Sequence, residues 1–97
     1  MNINALMQKA QSLQKEMQKT EEEVSKMIFT AKQPLVEVEV TGAKKVVSIK
    51  YSKDITADDM EILEDMTTLA INEALDKASK EMESRLSKYG QGLPGLF

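Results

Sequence analysis

The chain has no cysteine and no histidine. Disulfides, thiolate or imidazole metal sites, cysteine nucleophiles and any serine–histidine pair are excluded by inventory, so no metal site and no cofactor are expected. A Gly-rich phosphate loop is also lacking. Carboxylates are plentiful, but the adjacent pairs Asp58-Asp59 and Glu64-Asp65 diverge by about 100° around a helix, so neither converges on a substrate as a general acid and base must. An enzyme working on a small-molecule substrate is not expected. Long apolar runs are absent as well: nothing approaches the roughly 20 residues that span a bilayer, and residues 1–25 show no unbroken apolar run after a basic start. The expectation is a soluble cytoplasmic protein without a membrane partner.

What is present is a globular composition. Hydrophobic residues make up 41% and charged residues 30% of the 97 positions, too apolar for a disordered chain. A single domain over residues 1–90 with a flexible tail over 91–97 is expected. A chain of this length buries only about 65% of its unfolded surface, and a second copy would add what one core lacks. The net charge of -3 is unevenly spread. Residues 1–19 carry +2, residues 20–53 carry +1, residues 54–76 hold eight acidic side chains and no basic one, and residues 77–97 carry +2. The ends are basic and the middle is acidic, an asymmetry more informative about partners than the total.

The opening segment keeps a strict rhythm. Ile3, Leu6, Ala10, Leu13, Met17, Thr20, Val24 and Met27 alternate spacings of 3 and 4, the seam of a coiled coil with Thr20 its one polar member. A helix from Ile3 to Ile28 would run about 39 Å at 1.5 Å per residue, longer than a domain this small is wide. Part of it should project, and the projecting seam needs a partner helix.

Residues 29–53 change period. Val36, Val38 and Val40 alternate with Glu37 and Glu39, Thr41-Gly42-Ala43-Lys44 supplies a turn, and Val47, Ile49 and Tyr51 alternate with Val46, Ser48 and Lys50. This predicts an antiparallel hairpin with one apolar face. Phe29-Thr30-Ala31 is a candidate third strand, with Pro34 in the loop. So small a sheet needs helices over its valine face. Glu37, Glu39 and Lys50 on the other face read as a solvated surface with a cross-strand ion pair.

A second long helix follows. Thr56 and Asp59 form a capping-box pattern, acidic residues fill the first turn, and Gly90 after Lys88 is the expected C′ residue. Ile62, Leu63, Met66, Leu69 and Ala70 define one apolar face. Ile71, Leu75, Ala78, Met82, Leu86 and Tyr89 define another, rotated by roughly a third of a turn. The first half is expected to pack on the sheet and the second half to project toward the first helix or a second subunit.

These segments resemble the YbaB/EbfC family of bacterial nucleoid-associated proteins. The resemblance rests on Met7-Gln8-Lys9-Ala10-Gln11 with Leu13-Gln14-Lys15-Glu16-Met17, on Val38 to Gly42 followed by Val47 and Ile49, on Glu61 to Met66 with Ala70-Ile71-Asn72-Glu73-Ala74, and on Gly90 through Phe97. It implies an α+β protomer with a long N-terminal helix, an antiparallel sheet of about three strands and a long C-terminal helix. It further implies a homodimer whose helical arms extend like tweezers and bind DNA, in the nucleoid, with low or modest sequence preference.

The candidate DNA contacts are Lys9, Lys15, Lys19, Lys77, Lys80, Arg85 and Lys88, with Gln8, Gln11 and Gln14 as further hydrogen-bonding groups. A single Arg leaves Lys to meet phosphates as point charges. Leu6, Ala10, Leu13, Met17, Val24, Met82 and Leu86 are the candidate dimer and helix-packing residues. The competing reading is a protein-interaction module whose Met- and Leu-lined arms grip another polypeptide, with seven Met in the chain to do so.

Overall fold

The computed structural model describes residues 2–92, with side chains described through Tyr89. Helix α1 covers Ile3–Ser25. Asn2 caps it, its side-chain oxygen accepting the Asn4 backbone N–H at 3.0 Å. The helix stops short of the Ile28 end that the heptad pattern predicts. The Met27 N–H instead turns back to the Val24 carbonyl at 3.0 Å, and the β-branched and aromatic run Ile28-Phe29-Thr30 opens a strand.

Strands β1 (Ile28–Gln33), β2 (Val36–Thr41) and β3 (Val46–Tyr51) form one antiparallel sheet in that order. Pro34 lies in the first turn. Phe29 opposes Val40 and Ala31 opposes Val38, while Ile49 opposes Val38 and Tyr51 opposes Val36. Directly opposed residues share a face, so these side chains all lie on the side of the buried valines Val36, Val38 and Val40. Val46 opposes Val40 and Ser48 opposes Glu39, leaving Val47 as the extra residue of a bulge. The other face is polar, with Lys32–Glu37 and Lys50–Glu39 ion pairs at 3.9 and 3.7 Å.

A 3₁₀ turn at Ala57–Asp59 leads into α2, Met60–Gly92. The Asp59 carboxylate accepts the Thr56 N–H at 2.9 Å and the Thr56 hydroxyl at 3.1 Å, closing the helix start as its capping-box pattern predicts. The helix runs through Gly90 to Gly92 rather than ending at Gly90. A helical Gly costs about 1 kcal/mol relative to Ala, too little to stop a long helix by itself. The expected tail beyond Gly92, Leu93 to Phe97, lies outside the described residues.

The face that α2 turns to the sheet matches the expected one at Leu63 and Ala70 and departs from it elsewhere. Leu63, Ala70, Ala74 and Ala78 are buried there, whereas Ile62 and Leu69 are 51% and 54% exposed. Alanine has no atom beyond Cβ, so a row of it lets the helix settle closely on the branched valines of β2. Periodicity marks Ile62 and Leu69 as apolar but does not fix which way they point. α2 lies across β1 and β2 and barely reaches β3.

The ends of the sheet orient the helices. Gln33 Nε2 donates to Glu73 Oε1 at 2.9 Å and Lys77 Nζ to the Thr30 carbonyl at 2.6 Å. α2 therefore travels from the Gln33 end of β1 toward its Ile28 end and then leaves the sheet. α1 arrives at that same end. The two helices run antiparallel beyond the sheet, and the hydroxyls of Thr20 and Tyr89 meet at 3.1 Å, which supplies the polar seam residue with a partner.

Gly42 holds α1 to the sheet. Its N–H donates to the Met27 carbonyl at 3.0 Å, and a Cβ built on it would stand 1.8 Å from the Val24 carbonyl oxygen. No larger residue fits this junction.

Candidate nucleic-acid interface

α1 and α2 together make an arm. The radius of gyration is 19.4 Å and the extents are 70 × 20 × 12 Å, against a radius of about 12.5 Å for a compact chain of this length. Tyr89 lies level with Thr20, so the part of α1 before roughly Met17 extends past the end of α2. The packing seam changes along this line. Val24 is buried, Leu13, Met17, Met82 and Leu86 are half-buried, and Leu6 and Ala10 are exposed. Met82 and Leu86, with Glu83 and Ser87, line an open apolar pocket of about 270 Å³.

The face of α1 opposite its seam is polar and positive. At about 100° per residue, Gln8, Gln11, Lys15, Lys19 and Lys26 fall within one narrow sector centred away from Val24, with Glu22 the one acidic residue among them, and all are exposed. Lys9 is exposed too but lies on a flank, nearer the seam. Among the described residues, Lys15, Lys19 and Lys26 make no ion pair or side-chain hydrogen bond.

The cations of α2 are differently placed. Lys77 is tied to the Thr30 carbonyl, Arg85 is held by Glu81 one turn earlier, and the Lys88 ammonium lies over the Tyr89 ring, 5.0 Å from its centroid. Lys80 is exposed on the next turn from Lys77. These four do not form one face: Lys77, Lys80 and Lys88 sit toward the β1 flank and Arg85 points elsewhere around the helix.

Three lysines absent from the sequence-derived set come together at the base of the arm. Gly42 lies against the end of α1, its virtual Cβ 3.1 Å from the Ser25 Cα. That approach brings the turn lysines Lys44 and Lys45 to the same end of the molecule as Lys26. Lys44 and Lys45 are exposed. The spacing of Lys19 and Lys26, one heptad, is visible in the sequence; the approach of the turn to the helix end is not. Lys44 adopts φ 65°, which turns the chain there. The acidic stretch 54–76 starts α2 at the opposite end, remote from the arm.

The model of the YbaB/EbfC DNA-binding family matches residues 1–93. A nucleoid-associated protein of Lactococcus lactis subsp. cremoris is 41% identical, covering 97% of this chain and 98% of its own length. Nucleoid-associated proteins of Streptococcus suis and Streptococcus pneumoniae are 40% and 39% identical, each over 97% of this chain and 98% of their own.

Proposed function

Since the chain belongs to the YbaB/EbfC DNA-binding family, we propose that it is a nucleoid-associated protein, a binding protein and not an enzyme, that holds duplex DNA as a homodimer. Contacts run mainly to phosphates, with low or modest sequence preference, and place the protein in the nucleoid within the cytoplasm. The observation that carries this reading is the polar stripe Gln8, Gln11, Lys15, Lys19 and Lys26 on a projecting helix, continued at its base by Lys44 and Lys45. Lysines on a rod meet the regularly spaced charges of a duplex backbone without reading base edges, and counterion release supplies the affinity. Lys80, Lys88 and Lys9 add positive potential, while Lys77 and Arg85 serve the fold first. The acidic start of α2 is held away from the polyanion.

Homodimerisation is supported by surface left uncovered. The protomer exposes 7186 Å², against about 5,600 Å² for a compact protein of its mass. On the valine face of the sheet α2 covers β1 and β2 only, so Ile49 and Tyr51 stand 39% and 50% exposed. Beside them Ile71 and Leu75 of α2 are half-buried, on the flank away from β1. A second copy laid along this strip would complete the core and set out two arms. Leu13, Met17, Met82 and Leu86 would stay within each arm, packing one helix on the other.

The test is a salt titration of binding to duplex fragments of unrelated sequence. With four to eight phosphates neutralised, log affinity falls against log salt with a slope of roughly -4 to -7, and fragments differ little. Affinity indifferent to salt overturns the reading.

A further inference from the structure

The tip of α1 and the outer flank of α2 both carry uncovered apolar rows, and the two rows match. Ile62 and Leu69 are about half exposed and Met66 half-buried. They lie on the flank of α2 that also carries Glu73, which reaches Gln33 of β1, so this surface is separate from the strip beside β3. It sits within the stretch 54–76, eight acidic residues and no basic one. At the far end of the molecule Ile3 and Leu6 are 71% and 49% exposed, in a segment, residues 2–15, whose only charges are Lys9 and Lys15.

We propose that the α1 tip of one molecule docks on the Ile62–Leu69 flank of another, linking copies head to tail. Spacing and charge both support this occupant. The tip presents Ile3, Leu6 and Ala10, spaced 3 then 4; the flank presents Ile62, Met66 and Leu69, spaced 4 then 3. Reversed, the second row has the spacing of the first. An antiparallel pair therefore stacks Ile3 on Leu69, Leu6 on Met66 and Ala10 on Ile62, with the smallest residue of one row against a large one of the other. Lys9 immediately precedes Ala10 and Asp65 immediately precedes Met66, the position flanking the seam on each helix where interhelical charge pairs form. In the antiparallel pair these two positions lie on the same side of the seam, facing each other. In the docked pair Met7, on the other side of the seam and 56% exposed in the free protomer, turns toward the sheet of the accepting molecule.

The contact is heterologous: tip and flank are different surfaces, each molecule offers one of each, and nothing in the pairing closes it. Such contacts propagate as open chains. The acidic flank excludes DNA and accepts only a cationic partner, so arms that lie free of a duplex have a second place to bind.

Sedimentation velocity of the full chain without DNA tests this, at about 50 mM and about 500 mM salt, where screening lengths differ several-fold. Assemblies larger than a dimer are expected at low salt and a shift to smaller species at high salt. Leu6→Glu or Leu69→Glu removes the larger species while circular dichroism stays unchanged, since both side chains are exposed. Lys9→Glu and Asp65→Lys each weaken association by about three- to ten-fold, the range of an exposed pair turned repulsive, and the two together restore it. Tyr51→Glu breaks the β3-side dimer, which separates the two contacts. A protein that is never larger than a dimer, an assembly indifferent to Leu69→Glu, or a double swap no better than either single one overturns the proposal and leaves the DNA-binding reading standing.

Discussion

Single residues decide whether the arm is held at its angle. Gly42 is the sharpest case, because the obstacle to any Cβ is the backbone of Val24 and not a side chain that could swing away. Gly42→Ala should cost about 1–3 kcal/mol, as other overpacked sites do, read as a lower urea midpoint with unchanged slope. A Gly42→Ala protein with wild-type stability would contradict the close approach. Two residues along, Lys44 holds a left-handed backbone that non-glycine residues reach at a cost of roughly 1–2 kcal/mol. Lys44→Gly should therefore match or exceed wild-type stability while Lys44→Val lowers it, a contrast that thermal unfolding reports. Thr20 shows how a pattern and its exception both carry information. The heptad spacing marks Thr20 as a seam position, and its hydroxyl meets that of Tyr89 there. Tyr89→Phe leaves the Thr20 hydroxyl without this partner and should lower stability by about 1 kcal/mol.

At the scale of elements, kinds of structure are more legible in the sequence than faces are. The period-of-two runs at Val36–Val40 and Ile49–Tyr51, the Thr56–Asp59 start and the seam of α1 can be read because each is a local relation between neighbours. The sheet-facing stripe of α2 cannot. Ala70 and Ala78 register on two different apolar faces and Ala74 on neither, while Ile62 and Leu69 register and stay outside. Only the closeness of helix and sheet, a property of the tertiary structure, makes alanine the right residue. Ala74→Leu should consequently destabilise by about 1–3 kcal/mol through overpacking, where helix propensity alone would leave stability almost unchanged. Strand β3 divides in the same way, its alternation legible and its cover not: α2 stops at β2 and leaves Ile49 and Tyr51 partly bare. In the candidate interface, helical spacing is enough to single out Lys15 and Lys19. Lys44 and Lys45 join Lys26 only through the fold, because Gly42 brings residues distant in sequence to one corner.

The whole molecule is polarised in shape and in charge. A sheet with an acidic helix start forms one end, and a two-helix rod of positive and polar surface forms the other. This distribution, not the net charge of -3, governs how it meets a polyanion. It also separates the DNA-binding reading from a protein-gripping arm. Met17→Asp or Met82→Asp should weaken DNA binding only as far as they loosen the rod, whereas Lys15→Glu with Lys19→Glu should weaken it outright. The most direct measurement is the salt dependence of duplex binding by fluorescence anisotropy, compared between the wild-type protein and the Lys15→Glu, Lys19→Glu double variant. A steep wild-type slope of roughly -4 to -7, made shallower by about one unit for each phosphate that the variant no longer neutralises, is the predicted result. Equal slopes for the two proteins, or binding that does not respond to salt, would contradict the account.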